Sequence, residues 1–250
     1  MKLVVAAAVL VVLSVVAGSS RPIESAASPL AAQARAATGT IKGRIKLNGK
    51  APGNPVIRMG MDPMCAKLNA GKRPIDQIVA TSDDGGLANG FVKLEGSFPK
   101  TAPPAEPVVI DQRGCFYLPR VVGARVGQVL RVKNSDNLLH NVHAITTKAN
   151  EFNVGEPQAG IQYDFRLKDE EMLHIKCDVH RWMTAWVGVV SHPYFAVSGA
   201  DGSFTISGVP AGRHAISAWH ERFGTLKQTV DVKPGATSTV TFTYNASEKP

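Results

Sequence analysis

The sequence predicts an all-β chain built as two sandwiches, and three observations carry that prediction. Beyond Gly39 it is a succession of short runs (TIKGRIKL, FVKLEG, PVVIDQRG, VGQVLRVKN, NVHAIT, IQYDFRL, MLHIKC, AWVGVVS) punctuated by Gly, Pro, Asn and Asp, the spacing of antiparallel strands in a sandwich. No helical period persists for three turns after the N-terminal segment. A second cluster begins near His192, where ADGSFTISGVPAGRHAISAWH supplies an Asp201-Gly202 turn, an alternating strand, a Gly208 to Gly212 corner and another strand, and TLKQTVDVKPGATSTVTFTY adds two more.

The N-terminus reads Met1, Lys2, then an apolar run from Leu3 to Ala17 followed by Gly18, Ser19 and Ser20. One positive charge, a short apolar stretch and small residues are the pattern of a secretory signal over 1–20. An uncleaved anchor is the competing reading, and the only one in which the chain meets a membrane. Either exports the remainder, to the periplasm or the cell exterior. From 21 to 38 the composition turns to Ala, Ser, Pro and Gln, too poor in large apolar groups to bury a face, which predicts a flexible tether. The first sandwich is expected over 39–190 and the second over 191–245.

The formal charge of +8 is spread among acidic residues, with no basic run and no interleaved aromatics. That excludes a nucleic-acid site and favours acidic partners or surfaces.

The cysteines are Cys65, Cys115 and Cys177, an odd number for an oxidising compartment. Cys177 lies in IKCDVHRWM, with His180 and Met183 at successive three-residue steps. Thiolate, imidazole and thioether are soft donors suited to copper. A structural zinc site would need a further Cys or His pair that the chain lacks. With Cys177 a ligand, Cys65 and Cys115 remain as a disulfide pair, worth about 4 kcal/mol in the chain-entropy model. Met59, Met61 and Met64 beside Cys65 leave a second reading open, a Cu(I) site of thioethers and thiolate.

A copper ion that exchanges electrons needs in-plane thiolate and imidazole donors, a weak axial ligand and a rigid scaffold. The upstream donor is sought in KNSDNLLHNVHA, the rest in KCDVHRWM. On these two segments the chain resembles the cupredoxins, the type 1 blue copper family, and most closely their amicyanin- and plastocyanin-like members with a Cys-x-x-His-x-x-Met loop. The resemblance covers roughly 116 to 190, and departs from the family at Leu139, where Pro is common. It implies a Greek-key sandwich and an electron-transfer role without catalysis. It makes His140, Cys177, His180 and Met183 the ligands of one copper, with His180 the solvent-edge imidazole and Met183 axial. Asn134 and Asn141 stand behind them, Asn141 bracing the loop. The partners implied are redox proteins. The second cluster resembles the carboxypeptidase regulatory-like, or transthyretin-like, sandwich, a family generally without catalytic residues.

His143, three residues after His140, points to the opposite face of a strand, and His174 to the face opposite Cys177. His192, His214 and His220 lie beside aromatics and are expected to pack. Trp182 and Trp186 suit either a docking patch or core packing. Copper storage or delivery, and a surface interaction module, stand as alternatives to electron transfer. No Ser-His-Asp arrangement, paired carboxylates or further His-rich copper motif supports an enzyme.

Overall fold

The computed structural model describes residues 37–247. The expected export signal and the tether up to residue 36 lie outside the described residues. Among these residues the strands are β1 (Thr38–Asn48), β2 (Phe91–Leu94), β3 (Val108–Gln112), β4 (Tyr117–Leu118), β5 (Val121–Arg125), β6 (Val129–Asn134), β7 (His140–Ile145) and β8 (Asn153–Glu156). They continue as β9 (Gln162–Arg166), β10 (Glu171–Lys176), β11 (Thr184–Val190), β12 (Phe195–Val197), β13 (Ser203–Pro210), β14 (Gly212–His220), β15 (Gly224–Val232) and β16 (Thr237–Asn245). One short helix, α1 (Pro63–Leu68), follows a 3-10 turn at Met59–Met61. The all-β class stands, and the strands assemble into two sandwiches.

The first sandwich sets the sheet β5-β11-β10-β7-β8 against β4-β3-β6-β9. Their inner faces share one core, from Ile110, Leu130 and Val132 on one side to Val142, Leu173, Ile175 and Val187 on the other. Between β6 and β10 the chain passes back and forth between the two sheets, a Greek-key habit that brings residues distant in sequence to one end. Two of its pairings, β3 with β6 and β5 with β11, are parallel, as is β1 with β16, so the expected antiparallel sandwich is corrected at these pairs.

The second sandwich joins β13-β1-β16 to β12-β2-β14-β15 over a core that includes Ile41, Ile45, Leu94, Ile216, Phe242 and Tyr244. The division expected at residue 190 therefore does not follow the sheets. β1 pairs with β16 along nearly its whole length and with β13 on its other edge, while β2 lies between β12 and β14. Alternation in TIKGRIKL says that one face is buried, not which sheet receives it. The C-terminal strands close their sandwich only with these two strands from before the first one.

The sandwiches meet over Phe91, Val121 and Val190, with Trp186, Phe195 and Trp219 packed against them. Arg120 spans the junction, forming ion pairs with Glu221 and with Asp76 (2.7 Å). Among the described residues no helix is long and apolar enough to cross a membrane.

Candidate metal centre

The centre lies where β7 begins and β10 turns into β11. In β7 the residues His140, Val142 and Ala144 are buried, so His140 faces inward and His143 outward. In β10, Leu173 and Ile175 point in, and the alternation carries on to buried Cys177. The antiparallel register Lys176 to Thr184 closes a seven-residue turn between β10 and β11. Its ends are tied by the Met183 N–H to the His180 carbonyl (2.9 Å) and the Cys177 N–H to the Met183 carbonyl (3.2 Å). Because β7 runs beside β10, with His143 opposite Lys176, His140 arrives next to that turn.

The donor atoms of His140, Cys177 and His180 all lie within 4.8 Å of one another. His140 Nδ1 is 3.0 Å from His180 Nδ1, and the Cys177 sulfur is 3.9 Å from His180 Nδ1. The His180 N–H donates to that sulfur at 3.3 Å. Met183 is buried at the far end of the same turn, and the four residues are each 0–1 % exposed.

Two carboxylates that no sequence pattern points to set the histidine tautomers. Asp136 Oδ2 is 2.9 Å from His140 Nε2, and Asp62 Oδ2 is 2.9 Å from His180 Nε2. An ionised carboxylate only accepts, so each Nε2 carries the proton and each neutral ring presents a bare Nδ1 lone pair. Two such lone pairs facing each other beside a cysteine sulfur call for a cation between them, a proton on one ring or a metal ion. Asp136 also accepts from the Gly114 and Cys115 N–H groups, both at 2.8 Å. Burial alone would raise its pKa, but the His140 contact and these amides outweigh it and hold it below the ordinary carboxylate value. The His180 contact, with help from the Cys65 amide, lowers Asp62. His180 itself is raised: its hydrogen bonds to Cys177 and Asp62 outweigh the effect of burial.

Asn134 and Asn141 hold the surrounding backbone. Asn134 donates to the carbonyls of Leu138 and Glu156 at 2.9 and 2.8 Å and accepts from Asp136 N–H, fixing the approach to His140. Asn141 Oδ1 accepts from Asp178 N–H (3.0 Å) in the Cys177–Met183 turn, and its amide donates to Asn153 and Val154 of β8. Tyr117 donates to the Asn141 carbonyl. Glu156, opposite His140 in the ladder, is fully buried with neither carboxylate oxygen bonded, and burial pushes it up to about 7.

Cys65 and Cys115 form a disulfide, with Cα atoms 5.8 Å apart. It sits over the centre, the Cys65 sulfur 3.5 Å from His180 Nε2. Pro63 starts α1 and Asp62 caps it, accepting from Met64 and Cys65 N–H at 2.9 Å with the oxygen that does not face His180. Trp182 packs against His180 with ring centres 5.1 Å apart and donates to the Cys115 carbonyl (2.9 Å). Two expectations are corrected here. His180 is not a solvent-edge imidazole, because the segment around α1 covers it. The thioether-thiolate site at Met59 to Cys65 has no thiolate, since Cys65 is cross-linked, Met59 is buried and Met61 is 94 % exposed.

The other histidines go elsewhere. His143 pairs with Asp178 at 2.9 Å on the outer face, and His174 stacks on Trp186 with Nε2 2.7 Å from Thr184 Oγ1. His192 bonds the Leu94 carbonyl (3.1 Å), His214 the Pro210 carbonyl (2.7 Å), and His220 lies against Phe223. Trp186 packs between His174 and Trp219 at the junction rather than beside the centre.

No family model matches the chain, and no curated protein does. Partial likenesses to solved structures include a purple cupredoxin from Nitrosopumilus maritimus, 21 % identical, covering 33 % of this chain and 98 % of that one at a TM-score of 0.29. An amicyanin variant in its Cu(I) state is 20 % identical over 37 % of this chain and 96 % of its own, with a TM-score of 0.30. A copper-containing nitrite reductase from Thermus scotoductus is 18 % identical over 39 % of this chain and 25 % of its own, also at 0.30. Likenesses this partial carry no functional argument, and the chemistry of the centre is read from its own atoms.

Proposed function

We propose that the chain is an exported type 1 copper protein that carries single electrons between redox proteins and transforms no substrate. The observation that supports this most is the pair of inward-facing Nδ1 lone pairs beside the Cys177 sulfur, each ring locked in that tautomer by its own carboxylate. His140, His180 and Cys177 would hold the ion, with Met183 as a thioether donor on the resemblance of the turn. Copper bound there supplies one-electron chemistry, cycling between Cu(I) and Cu(II). The protein's part is to keep the donors still: β7, β10 and β11 fix the backbone, Asn134 and Asn141 tie the loops, and the two aspartates fix the rings, so a change of oxidation state meets a scaffold with little freedom to rearrange. The near-complete burial of all four side chains supports a carrier over an enzyme, since a substrate could not reach them.

The segment that includes the cover over His180 carries exposed Arg58, Lys67, Lys72 and Arg73 along with exposed Met61, Met64 and Leu68. A basic, partly apolar segment suits an acidic redox partner. Export agrees with the signal-like N-terminus and with a disulfide that an oxidising compartment maintains. An optical and spin-resonance spectrum of the copper-loaded protein tests the proposal. The expected result is an intense orange-red absorption that disappears in Cys177→Ser. A colourless Cu(II) complex overturns it, and copper retained by Cys177→Ser would favour storage or delivery instead.

A further inference from the structure

The segment over His180 has the construction of a lid. Val56 and Ile75 pair as an isolated antiparallel bridge, reinforced by Ile57 N–H to the Pro74 carbonyl (3.0 Å) and Asp76 N–H to the Pro55 carbonyl (2.9 Å), so the loop between them closes on its own neck. Ile57 and Met59 are rooted in the core of the first sandwich. The part free to swing runs from Gly60 to Gly71, two exposed glycines with open space where a Cβ would stand. At its tip this loop is fastened by the Cys65–Cys115 bond, by Asp62 on His180 and by Asn69, which donates to the Cys65 and Gly114 carbonyls at 2.9 and 3.0 Å. Cys115 in turn donates to Asp136, which holds His140. One covalent bond therefore ties the loop that carries Asp62, on His180, to the turn whose amides hold Asp136, on His140.

With that bond closed, His140, Cys177, His180 and Met183 are almost wholly covered, and the disulfide itself is fully buried. A metal ion has no way in, and an external thiol has no way to the latch. We propose, building on the copper reading above, that residues 60–71 are a lid, that copper enters while Cys65 and Cys115 are thiols, and that their oxidation then traps it. In that step two S–H bonds break and one S–S bond forms. The two electrons and two protons pass to a disulfide of an oxidant protein, which leaves as a dithiol. Metal insertion thus precedes a thiol-oxidation reaction in the maturation of the chain, and the finished centre does not exchange its metal.

The test uses Cys177 as reporter in the metal-free protein, where type 1 character plays no part. Alkylation of Cys177 by iodoacetamide is followed by mass in the native chain and in the double variant Cys65→Ser, Cys115→Ser. Opening of the unlatched lid should speed it by at least about tenfold, while Met61→Ser, a change at a 94 % exposed lid residue that leaves the disulfide intact, should stay close to native. The Cu(I)-loaded forms should show the same order in copper transfer to a bicinchoninate chelator. Equal alkylation rates in the native and double-variant chains overturn the lid. So does loss of the whole β-sheet circular dichroism in the double variant, since the bond is then a staple of the sandwich and not a latch. A missing orange-red band in the native protein would instead count against the copper proposal, and leaves the alkylation result standing by itself.

Discussion

His140 and His180 face each other across 3.0 Å through their Nδ1 atoms, while the Nε2 of each ring is engaged by its own aspartate, Asp136 and Asp62, at 2.9 Å. The two rings meet at one end of a β7–β10–β11 unit, and Asp62 and Asp136 come from loops linked through the Cys65–Cys115 disulfide and the Cys115 N–H that Asp136 accepts. The proposed copper donors and the proposed lid thus share one network, in which Asp62 and Asp136 decide which ring nitrogen would meet the ion.

The first prediction concerns that ion. Cys177→Ser replaces the thiolate with a hydroxyl, which is a poor ligand for copper and has no low-energy charge transfer to it. Loss of the orange-red band should be complete, with the β-sheet circular dichroism unchanged, because a buried Ser in place of Cys alters little volume.

The second concerns the aspartates. Removing a carboxylate that orients a metal-bound histidine typically costs about 10–100-fold in metal affinity. Asp136→Asn should lie at the upper end, because Asp136 is buried and also accepts the Gly114 and Cys115 amides. Asp62→Asn should lie at the lower end, its side chain being 28 % exposed. Competition titrations against a copper chelator measure both. Equal, negligible losses would mean that the tautomers are set by something other than these contacts.

How much of this was readable in the sequence follows from how local each contact is. The approach of Cys177 to His180 is set by seven residues of one hairpin, and the inward side of His140 by period-two alternation, so both were visible as patterns. The contrast between His140 and His143 was visible for the same reason. Asp62 and Asp136 were not, because the first reaches the centre from more than a hundred residues away and the second by a turn that spacing does not announce. The cover over His180 was hidden too: a run of methionines around a cysteine looks like ligands, and only the pairing of Cys65 with Cys115 shows it as a cap. β1 was assigned to the first sandwich by position in the chain, whereas its partners β13 and β16 begin about 160 to 200 residues later, a register that no local signal encodes.

The third prediction is a pH dependence from the second sandwich. His220 is fully buried beside Phe223 and Tyr244, its Nδ1 accepts from the Arg222 amide at 3.2 Å, and its Nε2 has no partner. Burial, aided by Arg120, lowers it from 6.5 to about 4. The folded state therefore refuses a proton that the unfolded chain accepts below about pH 6.5. The resulting stability is present above that value and falls away as pH drops towards 4, by roughly 3 kcal/mol at full extent. Urea unfolding at pH 7, 5.5 and 4 should show the decline, and His220→Leu should flatten it. An unchanged slope in that variant would assign the acid sensitivity to other groups.

The fourth tests the junction between the sandwiches. Phe91 of β2 lies on the backbone of β11, and a Cβ built at Gly188 would stand 2.4 Å from two of its ring carbons. Gly123 of β5 is as tightly covered, with Phe195 at 2.3 Å and Phe91 at 3.1 Å. These contacts are too short for any side chain, and both rings are held by neighbours in the β12-β2-β14 sheet, so neither can give way without shifting a strand. Gly188→Ala should therefore destabilise the chain by about 1–3 kcal/mol through overpacking. Adding Phe91→Leu should recover part of the loss, a coupling that a double-mutant cycle reads directly. Gly188 stands five residues along β11 from Met183, roughly 16 Å at the rise of a strand, so the copper spectrum of the variant should match the native one. A shifted spectrum would show instead that the seam between the sandwiches bears on the metal centre through β11.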